Sequence, residues 1–220
     1  MSRIHVLDSY TANRIAAGEV VERPASVVKE LLENAIDAGA TAVTIETKGG
    51  GLESIRVSDN GIGINADDVA TAFLPHATSK IATTDDLFSI NTLGFRGEAL
   101  ASICAVSECE ILTRAAAEEI GTRYTLAGEC AGELAEAGCP VGTTITAKNL
   151  FYNVPARMKF LKKDSTEGTA VATLMDRLAL SHPEIAFKFI RDREVKLATP
   201  GSGDLLAAIF AVYGNEWPPA

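Results

Sequence analysis

At 220 residues, with 47% hydrophobic and 22% charged residues, the chain has the composition of one sizeable globular domain, with length left for the start of another. A net charge of −9 argues against a broad nucleic-acid footprint, because binding to phosphates is driven by cationic side chains, although a local basic patch stays open. No apolar run approaches the roughly 20 residues that span a bilayer, and Asp8 interrupts any signal-peptide core, so a cytoplasmic protein without membrane contact is expected.

Residues 1–20 read as an N-terminal arm of mixed polarity with room for one short helix between Ala12 and Gly18. Pro24 then opens a stronger helix that runs to about Ala38, and Gly39 suits the position just past its end. Val28, Leu31, Leu32, Ala35 and Ile36 share one broad face of it, and Glu30, Glu33, Asn34 and Asp37 share the other. Residues four apart are neighbours on a helix, so Glu30 and Asn34 stand side by side. An amide oxygen suits Mg²⁺ that is also held by phosphates, and a carboxylate beside it suits a base for an attacking water. A polar stripe with three acids and no interleaved lysine is arranged for a cation; the plainer alternative is a solvated face.

Thr41–Thr47 and Ser54–Ser58 alternate apolar and polar residues around Gly49–Gly51, which predicts a hairpin with Val43, Ile45, Ile55 and Val57 inward. Asp59 closes the second strand and is followed by Gly61 and Gly63, which let the chain approach a flat ligand closely. A carboxylate there can accept hydrogens from the N6 amino group of adenine; otherwise it makes an ordinary turn. The run is no dinucleotide fingerprint, since Ala66 stands where the third glycine would be, and the chain has no Walker-type phosphate loop.

Asn65 can cap a helix reaching about Leu74, and residues 75–97 form an irregular stretch long enough to suggest function. It contains His76, Thr78, Ser79 and Lys80, then Gly94, Phe95, Arg96 and Gly97 ahead of a helix that runs to Ala105 and includes Leu100. Backbone N–H groups at such a junction suit phosphates.

Strands are expected at 107–113, 121–127 and 142–147, with a loop over 127–138; Thr143 begins the third of them. Helices at 155–163 and 166–181 and strands at 185–191 and 194–198 follow, and Pro200–Gly203 marks a boundary. Arg157, Lys159, Lys162 and Lys163 cluster as either a solvated face or a nucleic-acid contact. Cys104, Cys109, Cys130 and Cys139 lack metal-site spacing and read as incidental thiols. Helices mixed with hairpins predict a two-layer α/β (α+β) sandwich, its mixed, largely antiparallel sheet covered by helices on one face.

The order E-x-x-x-N, D-x-G-x-G, a long lid ending in G-F-R-G-E-A-L, and G-T-T resembles the GHKL ATPase superfamily. The stretches Ile15–Leu31, Asn34–Ala40, His76–Lys80, Gly94–Leu100 and Phe151–Phe160 are similar to the MutL family of DNA mismatch-repair proteins. The resemblance implies a Bergerat-type fold and a Mg²⁺-dependent ATPase, with Glu30 as general base, Asn34 as Mg²⁺ ligand and Asp59 selecting adenine. It further implies that Gly61 and Gly63 shape the pocket, that Thr78, Ser79, Gly94, Phe95, Arg96, Gly97 and Leu100 line the nucleotide, and that Thr143 supports the base.

Three regions follow from it: an arm over 1–20, the ATPase domain over 21–203, and over 204–220 a stub of a second domain whose lysine would reach the γ-phosphate. Slow turnover is therefore expected of these residues alone. For the full-length protein the resemblance implies an ATP-gated homodimer that contacts DNA and signals from mismatch recognition to downstream repair factors. Alternatives are a type II topoisomerase-like ATPase and a nucleotide-independent interaction module.

Overall fold

The structure, a computed structural model, describes residues 5–6, 17–18, 20–81, 83, 85–86, 92–94, 96–127 and 132–214. Among them, eight strands form a single sheet. In chain order these are β1 (Ala42–Lys48), β2 (Ser54–Asp59), β3 (Glu108–Arg114), β4 (Gly121–Ala127), β5 (Glu133–Ala137), β6 (Gly142–Lys148), β7 (Ala186–Arg191) and β8 (Glu194–Ala198). They lie side by side as β5-β4-β3-β6-β2-β1-β7-β8, and only the β1–β7 pairing is parallel.

Strand register explains the core. Tyr124, Ile111, Ile145, Val57, Ile45, Phe189 and Leu197 stand opposite one another in turn, drawing one row of apolar side chains across seven strands. On this face α1 (Pro24–Asp37) and α5 (Asp164–Ser181) close the core, α1 contributing Val27, Val28, Leu31, Leu32 and Ala35 and α5 contributing Val171, Met175 and Ala179. The neighbouring row, Glu46, Arg56, Thr146 and Glu110, is polar and faces away, with Arg56 bonded to Glu46 at 2.8 Å. The expected two-layer sandwich, helices on one face, is the fold found.

Several boundaries differ. The segment read as a loop over 127–138 contains β5, whose first four residues lie exposed along the outer edge of β4. With no buried side, it shows none of the alternation that betrays a strand. The helix expected over 65–74 breaks into α2 (Ala66–Val69) and a 3₁₀ turn at Thr71–Phe73. Asn65 holds the capping position without a side-chain bond; Glu118 accepts from the Ala66 N–H instead, at 2.8 Å. The next helix, α3, spans Ala99–Ala105, and that expected at 155–163 stops after one turn as α4 (Pro155–Met158).

Beyond Gly203, α6 (Leu205–Tyr213) is capped by Asp204, which accepts from the Leu206 N–H, and buries Ala208 against α5 and β8. The N-terminal arm lies mostly outside the described residues, though its Ala17 is buried, as is Val21 just beyond it. Cys104, Cys109 and Cys139 are free thiols. Among the described residues no helix is long and apolar enough to cross a membrane.

Candidate active site

Helix α1 is the common wall of the site. Arg23, extended, precedes it, Pro24 starts it without costing a hydrogen bond, and Gly39 ends it at φ 70°. Its start is clamped to α5: the Arg23 guanidinium donates through Nε (2.9 Å) and Nη2 (2.8 Å) to Glu167, which is 2% exposed. The second Glu167 oxygen accepts the Lys162 N–H at 3.1 Å.

More than one and a half turns into the helix, Glu30 is 26% exposed. Burial pushes its carboxyl above the usual range, partly offset by Lys29 and reinforced by Glu33. A carboxylate so tuned is a better proton acceptor than a free glutamate. The stripe is not free of lysine as expected: Lys29 folds along the helix to bond Glu33 at 2.7 Å and approaches Glu30 at 3.6 Å.

Asn34 and Asp37 occupy the next turn and receive a side chain from 46 and 43 residues away. The Lys80 ammonium donates to Asn34 Oδ1 at 3.2 Å and to Asp37 Oδ2 at 2.5 Å. Asp37 also accepts the N–H groups of Leu93 (2.9 Å) and Gly94 (3.1 Å). Burial alone would raise its pKa, but the ammonium and the two amides overcome this and hold it below the ordinary value. Sequence reasoning placed Asp37 on the polar face and Lys80 in the loop without joining them.

The turn after β2 docks on the end of the same helix. Ile62 N–H donates to the Ala38 carbonyl at 3.0 Å, and a Cβ on Gly61 would come within 2.8 Å of Ala38, so no larger residue fits there. Gly63 has φ +72° and presses on the Arg114 carbonyl, a position closed to side chains twice over. Asp59 accepts from Gly61 N–H at 2.8 Å and from the backbone of Thr143, while burial pushes its pKa up.

Thr143 meets the buried Thr113 hydroxyl at 3.0 Å. Thr113 gives its proton to the Gly142 carbonyl and accepts from Ile64 N–H, so it ties β3, β6 and the Asp59 turn together. Sequence reasoning missed this residue; its one signal was a hydroxyl at an inward-facing strand position.

The remaining expected residues lie in two segments that touch. Gly97 packs against Ala77, and His76 Nδ1 lies 2.5 Å from Glu98. The Thr78 hydroxyl accepts the Lys80 N–H at 3.1 Å; Ser79 and Arg96 are exposed, Leu100 is half-buried against the core, and Phe95 lies outside the described residues. The basic cluster divides. Arg157 turns inward, donating to the Val21 carbonyl at 2.7 Å and lying over the Phe151 ring, while Lys159, Lys162 and Lys163 remain exposed.

The two-layer sandwich thus docks a D-x-G-x-G turn on the end of the helix that carries Glu30 and Asn34. The sequence model of the family described as Histidine kinase-, DNA gyrase B-, and HSP90-like ATPase matches residues 22–132. The chain is similar to the DNA mismatch repair protein MutL of Agathobacter rectalis, with 53% identity over 98% of this chain and 33% of that protein. Among solved structures, the Aquifex aeolicus MutL ATPase domain complexed with ADP aligns at TM-score 0.70 and 31% identity, over 88% of this chain and 70% of that one. The N-terminal domain of a DNA repair protein aligns at TM-score 0.77 and 30% identity, covering 96% and 63%. The chain therefore belongs to this ATPase family, on its MutL branch. It spans about a third of the length of the curated relatives it matches.

Proposed function

We propose that the site binds ATP with Mg²⁺ and hydrolyses it, with Glu30 removing the proton from the attacking water. The observation that carries this is the position of Glu30: half-buried, raised in pKa, one turn from Asn34, on the helix whose far end docks the Asp59 turn. Asp59 accepts the adenine amino group, with Gly61, Gly63 and Thr143 around the base. Thr78, Ser79, Gly94, Phe95, Arg96, Gly97 and Leu100 line the rest of the nucleotide. Asn34 is the residue that would hold Mg²⁺, and its oxygen suits a cation, since it already accepts the Lys80 ammonium. When bound, the ion neutralises charge on the phosphates. The ADP in the Aquifex domain supports the reading.

We take residues 21–203 as the ATPase domain and 204–220 as the start of a second, with α6 packed back on α5 and β8 through Ala208. In the whole protein we place the domain in the cytoplasm as an ATP-gated dimerisation switch for mismatch repair, with DNA and repair factors as its partners. The MutL relatives favour this over a topoisomerase role, and a nucleotide-independent module has no use for Glu30. Asp59→Asn replaces one acceptor oxygen with a donor amide and is expected to weaken ADP binding by about 10–100-fold, the scale of a lost charge-assisted hydrogen bond. Calorimetric titration with and without Mg²⁺ measures it, and unchanged affinity would remove Asp59 from the pocket.

A further inference from the structure

Lys80 sits where a cation belongs. Its ammonium lies between the polar face of α1 and the backbone at Gly94, 3.2 Å from Asn34 Oδ1 and 2.5 Å from Asp37 Oδ2. The side chain is 21% exposed and its Asp37 partner 6%, so this is no mobile surface pair. Gly94 closes over the group: a Cβ there would lie 3.4 Å from the ammonium, 3.7 Å from Asn34 Oδ1 and 3.8 Å from Asp37 Oδ2. Asp37 holds both the ammonium and the Leu93 and Gly94 N–H groups, and the Thr92 hydroxyl bonds the Gly94 carbonyl at 2.9 Å, fixing the turn.

We infer that Lys80 is a resident counter-ion of the nucleotide-free site, which occupies the Asn34 oxygen and must leave it before a divalent cation can bind there. The inference rests on the assignment of Asn34 as the Mg²⁺ ligand. Both groups are positively charged and need the same side-chain oxygen, so each excludes the other. The Asp37 carboxylate anchors the ammonium in place and links its departure to release of the backbone at Leu93 and Gly94. Lys80 is thus a positioning residue that sets how much Mg²⁺ the site requires.

Lys80→Met keeps the length of the stem and removes the charge. In calorimetric titrations of Mg²⁺ into the ADP-saturated chain, the variant is expected to need less metal for half-saturation. The drop is about tenfold if the ammonium occupies the oxygen in about nine molecules of ten, because apparent affinity scales with the competent fraction. An unchanged or higher Mg²⁺ requirement overturns the inference, including the case where the variant weakens ADP equally with and without metal. If neither protein binds ADP, the nucleotide reading fails and takes this inference with it; if the wild type alone shows metal-dependent binding, only the inference fails. A measurement without mutation runs beside it. The Lys80 ammonium resonance of ¹⁵N-lysine-labelled wild-type protein is expected to persist with ADP alone and to disappear on saturation with Mg²⁺ and ADP. Persistence in both states overturns the displacement.

Discussion

Glu30→Ala is expected to lower ATP hydrolysis by about 10²–10⁴-fold, the usual contribution of a positioned base, while nucleotide affinity is retained. The pH dependence carries a second signature. Because burial raises the Glu30 carboxyl above its ordinary 4.5, hydrolysis falls as pH drops through that raised value, giving an acid limb displaced upward. The same shift has the opposite sign for stability. A folded-state pKa above the unfolded one favours the protonated folded form, so the contribution is complete below the unfolded value and lost as pH rises through the folded one. Ionised Glu30 therefore strains the fold at neutral pH. Glu30→Gln is expected to raise the Tm at pH 7–8 while slowing turnover as Glu30→Ala does, and the gain should vanish below about pH 4.5. A residue conferring stability would show a lower Tm. Single-turnover rates and thermal melts across pH 4–8 make the distinction.

Arg23→Ala carries the largest structural effect. It leaves Glu167, 2% exposed, holding the Lys162 N–H at 3.1 Å but without its cation, and a buried carboxylate so stripped costs on the order of 3 kcal/mol. For a domain of this size the Tm falls by roughly 6–12 °C. The consequence reaches the site, since the pair fixes the start of α1 one and a half turns before Glu30. Adding Glu167→Gln removes the stranded charge and is expected to restore part of the loss. Thermal denaturation of the two single variants and the double variant measures the coupling, and a loss below about 0.5 kcal/mol for Arg23→Ala would class the pair with ordinary surface bridges.

Helix α1, the β1–β2 hairpin and the Asp59 turn were legible because local signals agree there. Pro24 and Gly39 bracket a helical period, Gly49–Gly51 separate two alternating strands, and the two later glycines follow a strand end. What the sequence concealed is of two kinds. Strand β5 is exposed over Glu133–Glu136 and its order comes from pairing with β4, a partner no periodicity reveals. The other kind is side-chain pairing at a distance. Lys80 reaching Asp37, Arg23 reaching Glu167 and Arg157 reaching Val21 join segments 43, 144 and 136 residues apart. Nothing local in the sequence names the acceptor of a lysine or arginine until the fold brings it near. Lys29 is the reverse case: adjacent in sequence to Glu30, it falls outside the stripe by helical period, yet its long stem carries the ammonium to Glu33.

A crystal structure of the chain with a non-hydrolysable ATP analogue and Mg²⁺ bears most directly on all of this. The acidic face of α1 is expected against the triphosphate, with the Glu30 carboxylate toward the terminal phosphate, the Asn34 oxygen on the ion and Lys80 withdrawn from it. A nucleotide seated elsewhere, with Glu30 and Asn34 turned to water, would contradict the assignment of α1 as the catalytic helix.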